Sequence, residues 1–83
     1  MKLLYFAWVR ERVGGASEDI PRPDGVATVG DLVAWLAARG DGYAEAFEES
    51  SMVRAAVNQE HVDLSHPVAD GDEVAFFPPV TGG

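Results

Sequence analysis

Only one long stretch of this chain carries a helical repeat, and it lies among segments that read as strands. Across residues 28–40, Val29, Leu32, Val33 and Leu36 recur at helical spacing and form one apolar stripe. Thr28 is a candidate N-cap, and Asp31, three positions on, suits the positive end of the helix dipole. Arg39 suits the opposite end, and Gly40 suits a left-handed cap that stops the helix. Trp35 falls at the edge of the stripe and reads as a packing residue. Residues 2–10, 16–20, 52–57, 61–62 and 73–77 are strand-like, and residues 43–49 form a short helical turn with Tyr43 and Phe47 on one face. One main helix is too few for a doubly wound α/β fold. The order predicts an α+β chain in which a mixed sheet wraps around that helix.

The turns and faces sharpen this. Gly14-Gly15 suits a hairpin, residues 21–25 a loop, and Asn58-Gln59-Glu60 and Asp70-Gly71-Asp72 two further turns. In the first strand segment, Leu3, Tyr5, Ala7 and Val9 would share one face and Leu4, Phe6 and Trp8 the other. Both faces are apolar, so the second needs a cover. Val74 and Phe76 oppose Ala75 and Phe77, so one of the two adjacent phenylalanines is sent to the face shared with Phe6. Pro78-Pro79 end the last strand, because neither can donate a ladder hydrogen bond. Residues 1–77 are therefore read as one domain and 78–83 as a flexible Gly-Gly tail.

Composition narrows the chemistry. The 83 residues carry 14 acidic against 6 basic side chains, a formal net charge of −8. That disfavours direct nucleic-acid or anionic-membrane partners and favours a partner with a basic face. The chain has no cysteine, which excludes thiol nucleophiles, disulfides and thiolate metal sites. His61 and His66 lack the carboxylate pattern of a metal site. The chain opens on no charged-then-apolar leader and no apolar run long enough to span a bilayer, so a cytoplasmic location is expected. So short a chain leaves no room for an enclosed active site with its own walls.

A sheet grasping one helix before a terminal Gly-Gly resembles the ubiquitin-like β-grasp family. The segments Leu3-Leu4-Tyr5-Phe6-Ala7-Trp8-Val9-Arg10-Glu11, Ala55-Ala56-Val57-Asn58-Gln59, Asp70-Gly71-Asp72-Glu73-Val74 and Phe76-Phe77-Pro78-Pro79-Val80-Thr81-Gly82-Gly83 are similar to the small subunits of molybdopterin synthases, over nearly the whole chain. The resemblance implies a sulfur carrier without intrinsic cofactor. An adenylating enzyme of the ubiquitin-activating type, using ATP, would activate Gly83, with Gly82 keeping the end narrow. A sulfur-donor protein would convert Gly83 to a thiocarboxylate, and a large catalytic subunit would take the tail and pass the sulfur to a cyclic pyranopterin. The same resemblance implies two small and two large subunits. It also makes Leu4, Phe6, Trp8 and Phe77 the docking surface, with His61 at its edge where a medium-sized apolar side chain would be expected. Arg10 is a candidate for pairing across the interface, and Pro78, Pro79, Val80 and Thr81 for lining the insertion path. Two alternatives stay open: a carrier for thiamine or tRNA thiolation, and a non-catalytic ubiquitin-like modifier.

Overall fold

The computed structural model describes residues 1–49 and 52–79. The elements in chain order are β1 (Lys2–Tyr5), α1 (Ala7–Val13), β2 (Ser17–Asp19), α2 (Val29–Ala37), α3 (Asp41–Phe47), β3 (Arg54–Val57), β4 (Glu60–Val62) and β5 (Glu73–Phe77). The five strands make one sheet in the order β2-β1-β5-β3-β4. β1 and β5 run parallel at its centre, and the β1–β2, β3–β5 and β3–β4 pairs are antiparallel. This is the mixed β-grasp sheet that the sequence predicts, with β5 in the middle.

The pleat sends Leu3, Tyr5, Ala55, Val57, Val74 and Phe76 to one side, where all are buried. Every buried helical residue (Val9, Val29, Leu32, Val33, Leu36, Ala46 and Phe47) belongs to the same core. All three helices therefore cover one face. Phe76 is fully buried, stacked at 6.2 Å on Tyr5 and edge-on at 5.0 Å to Phe47. The expected apolar stripe of α2 is the one buried. Its N-terminus is closed by a reciprocal pair: Thr28 Oγ1 accepts from the Asp31 N–H at 3.1 Å, and Asp31 Oδ2 accepts from the Thr28 N–H at 3.2 Å. Backbone donation by Ala27 and Thr28 holds the Asp31 carboxyl below its usual range.

The first segment departs from the sequence reading. Residues 2–10 are not one strand: β1 stops at Tyr5, and α1 follows. Ala7, Arg10, Glu11 and Arg12 are good helix formers, and Val9 and Val13, four apart, both turn to the core. A strand could not place both there together with Leu3 and Tyr5 unless the sheet grew past its partners. The handover costs a residue in the left-handed region, Ala7 at φ 53. Gly14, at φ 85, is the C-cap of α1, its N–H donating to the Arg10 carbonyl, and not part of a two-residue hairpin turn. Gly40 has the expected positive φ, yet it serves as N-cap of α3, and α2 ends instead on Ala38.

Helices α1 and α3 meet closely at Gly42. A Cβ there would lie 1.7 Å from the Arg12 carbonyl oxygen and 2.8 Å from its carbon. Those are backbone atoms in a helix, so they cannot swing aside. Gly42→Ala is expected to force α1 and α3 apart and lower stability by about 3 kcal/mol, read as a fall in the urea midpoint.

The turn 58–59 places Asn58 (φ 51) and Gln59 (φ 71) both in the left-handed region, as the tightest hairpins require. Asn58 Nδ2 donates to Asp72 Oδ1 at 3.1 Å, and its Oδ1 accepts from the Glu73 N–H at 3.1 Å. Two of the sequence's most distinctive segments thus bind each other, where β3 ends and β5 begins. They hold the sheet together at the end opposite the tail.

A polar cluster ties the edge strand β2 to the helices. Glu18 Oε1 accepts from Tyr5 Oη at 2.9 Å, Arg39 at 2.5 Å and Tyr43 Oη at 3.2 Å, while the Arg39 guanidinium lies 4.2 Å over the Tyr43 ring. Burial works to raise the Glu18 pKa, but the donors, Arg39 first, outweigh it and bring the carboxyl below its ordinary value. Burial, with the Glu18 hydrogen bond, pushes the Tyr5 phenol well above its usual value. Because the folded-state Glu18 pKa is depressed, its contribution to stability is present above the unfolded carboxylate value of about 4.3 and is lost as pH falls through the lower folded value. Glu18→Gln is expected to lower the melting temperature at pH 7, and this deficit should shrink below about pH 4. A deficit independent of pH would contradict the ionic role.

Candidate functional site

The helices leave the other face of the sheet uncovered. Alternation places Lys2 and Leu4 of β1, Ser17 and Asp19 of β2, Arg54 and Ala56 of β3, His61 of β4, and Glu73, Ala75 and Phe77 of β5 on this outer side. Leu4, Ala75, Ala56 and His61 form one row across it, with Ala75 flanked by Leu4 and Ala56. Phe77 and His61 lie beside the small Ala75 and Ala56, with ring centroids 5.2 Å apart. Ala56 is only 7% exposed although it lies outside the core cluster, as expected if those two rings shelter it.

The expected site residues do not all share this face. Leu4 and Phe77 lie half-buried on the outer face, with His61 exposed beside Phe77. Phe6, 48% exposed, is the N-cap of α1, and its N–H donates to the Phe76 carbonyl at 3.0 Å. It therefore sits at the C-terminal end of β5. Trp8 does not share the Leu4 face. Because the strand ends at Tyr5, Trp8 lies on α1, packed partly against the core with the Arg12 guanidinium 5.6 Å from its ring. Arg10 is exposed on α1. Pro78 and Pro79 follow β5 half-buried. Val80, Thr81, Gly82 and Gly83 lie outside the described residues.

Arg54 went unremarked in the sequence although its position was readable there. On β3 it is in register with Phe77, and it is exposed. The signal was the pleat itself: if Ala55 and Val57 face inward, Arg54 and Ala56 face outward.

Two depressions lie on the helical side. One of about 380 Å³ is lined by Gly30, Val33, Ala34, Ala37, Phe47, Glu48 and Leu64. The other, of about 400 Å³, is lined by Trp8, Arg12, Glu45, Glu49 and Met52. Neither brings a nucleophile and a base together. Among the described residues no group of His, Asp or Glu could hold a metal ion, and no helix is long and apolar enough to cross a membrane. What the arrangement offers is a surface: a central strand that runs out at Phe77 toward the chain terminus, flanked by an open sheet face with an aromatic centre.

Comparison with known proteins bears on that surface. The model of the ThiS family matches residues 3–83. The chain is 48% identical over 83 residues to the molybdopterin synthase sulfur carrier subunit of Escherichia coli, covering all of this chain and 99% of that one. It is 40% identical over 91 residues to small archaeal modifier protein 3 of Haloferax volcanii, covering all of this chain and 98% of the relative. Among solved structures, that of SAMP1 from Haloferax volcanii superposes with a TM-score of 0.72 at 33% identity, over all of this chain and 98% of the other.

Proposed function

The chain belongs to the ThiS family, and from that premise we propose that it is the sulfur-carrier small subunit of a molybdopterin synthase. One observation carries the reading: β5, the central strand, runs out at Phe77 into Pro78-Pro79-Val80-Thr81-Gly82-Gly83, beside an uncovered face centred on Leu4, Ala75 and Phe77. A central strand is anchored on both sides, so the base of the tail is fixed relative to any partner seated on that face. The six residues that follow reach about 20 Å if extended, enough to enter a neighbouring protein's cleft. The two prolines lower the entropy lost on insertion.

The chemistry follows from what the chain lacks. With no cysteine, it has no side chain on which to hold sulfur, and the candidate atom is the terminal carboxylate carbon. A carboxylate is a poor electrophile, because its charge repels nucleophiles and oxide leaves poorly. An adenylating partner joins the Gly83 carboxylate to AMP and releases pyrophosphate. Hydrosulfide supplied by a donor protein then attacks the carbonyl carbon and expels AMP, leaving a thiocarboxylate. The large subunit accepts the tail and moves that sulfur to a cyclic pyranopterin, and water supplies the oxygen with which Gly83 returns as a carboxylate. The catalytic acids and bases reside in these partners. Leu4, Phe6 and Phe77 are the proposed anchors for the large subunit, with Pro78, Pro79, Val80 and Thr81 lining the path.

Intact-mass analysis tests the reading. After incubation with an adenylating enzyme, ATP and a sulfur donor, one oxygen at Gly83 should be replaced by sulfur. Addition of the large subunit and a pyranopterin should then reverse the shift. The similarity to an archaeal modifier protein supports a second reading, in which Gly83 becomes joined to a lysine of another protein. Isopeptide-linked products without a thiocarboxylate stage would favour it and would overturn the carrier proposal.

A further inference from the structure

We infer that Arg54 makes the tail-proximal half of the outer sheet face selective for a large-subunit surface that sets a carboxylate beside an apolar contact. The inference rests on the reading that this face docks the large subunit, and it adds the charge that the partner must present.

The outer face is asymmetric in charge. Its two cations, Lys2 and Arg54, occupy opposite ends. Lys2 is in register with Asp19 on one side and Glu73 on the other, so two acidic side chains flank it on its own face. Arg54 is in register with Phe77. Among the described residues its side chain makes no hydrogen bond and no ion pair. Asp63, the next residue beyond β4, is engaged elsewhere: its Oδ1 accepts from the Ser65 N–H at 3.0 Å and from the Ser65 hydroxyl. The residues shown paired around Arg54, namely Leu4, Ala75, Ala56, His61 and Phe77, therefore include no carboxylate, and Asp63, one step past the last β3–β4 pair, is the nearest acidic register position, on a chain with 14 acidic and only 6 basic residues.

This placement has a cost when the face is covered. Arg54 borders the aromatic centre, so a partner seated on Phe77 removes water from the guanidinium. An Arg that loses water without gaining an acceptor is strongly unfavourable. A carboxylate across the interface offsets that loss with two parallel hydrogen bonds, which a lysine cannot reproduce. The same arrangement rejects apolar or basic partner surfaces that would otherwise suit Leu4 and Phe77, so the charge supplies discrimination and the aromatics supply affinity. The chain as a whole carries a net charge of −8, so an acidic partner surface is attracted only where a cation such as Arg54 is set against it.

The test measures affinity of the full-length chain for the large subunit by calorimetry across a salt series. Arg54→Ala should weaken binding about tenfold and flatten the salt dependence. Arg54→Glu should weaken it further, about a hundredfold, through like-charge repulsion. Arg54→Lys should fall between wild type and Arg54→Ala. Lys2→Gln removes the same charge from the same face and should change affinity by less than about twofold, because Lys2 already has acidic neighbours. Equal affinities for wild type, Arg54→Ala and Arg54→Glu would overturn the inference. So would equal losses in Arg54→Ala and Lys2→Gln, which would mean that only net charge matters. Failure of the wild-type chain to bind the large subunit would instead overturn the docking reading. Binding of Arg54→Glu that is weakened only toward the adenylating enzyme would assign the carboxylate to that partner and overturn the inference as stated.

Discussion

Deletion of Gly82 and Gly83 is expected to abolish sulfur transfer while leaving the domain folded. The last core residue along the described chain is Phe76, and Phe77 already points to the open face. Truncation removes none of the described core residues, and the melting curve should stay within about 0.5 kcal/mol of wild type. The new terminus would be Thr81. Its carboxylate would fall short by two residues, roughly 7 Å of extended chain, and its branched side chain is wider than glycine. Misplacement of a reacting group by even an ångström costs about a hundredfold, so transfer should drop below detection in a single-turnover assay with the large subunit. Affinity for that subunit should fall only moderately, because the sheet face is intact. Full synthase activity from the truncated chain would show that the terminus is not the carrier.

Phe76→Ala and Phe77→Ala should have opposite consequences although the residues are adjacent. Phe76 has no exposed surface and touches the rings of Tyr5 and Phe47. Its truncation leaves a cavity under the central strand and should cost about 3–5 kcal/mol. A domain of this length has only about 4–12 kcal/mol in total, so the variant should unfold at low urea or fail to fold at 37 °C. Phe77 is half-buried beside His61 on the face away from the core. Its truncation should cost the isolated domain about 1 kcal/mol or less. It should weaken association with the large subunit by about 2 kcal/mol or more, as removal of an aromatic anchor does. Urea denaturation of each variant and a binding isotherm for Phe77→Ala provide the comparison. If Phe77→Ala unfolds the isolated domain, the outer face is structural rather than a docking surface.

Much of this was legible in the sequence because the signals were local. The buried stripe of α2, its Thr28–Asp31 cap, the Asn58-Gln59 turn and the division of Phe76 from Phe77 each follow from spacing within a few residues. The Gly-Gly terminus and the absence of cysteine, equally plain, are the sequence features on which the proposed role of the carboxylate rests. The segment after Tyr5 was not legible. Val9 fits a strand pleat with Leu3 and Tyr5 as well as it fits a helical repeat with Val13, and both patterns are apolar. Where β1 stops is set by its parallel partner β5, whose pairing with β1 reaches Tyr5↔Phe76, and a sequence read one window at a time does not contain that limit. The same long-range pairing moved Trp8 from the docking face to α1 and brought Asn58 to Asp72. It also set Arg54 beside Phe77 across 23 positions of chain. Local propensity and periodicity therefore determined most of the elements. The sheet register, which depends on contacts distant in sequence, decided which side chains share the surface from which that tail departs.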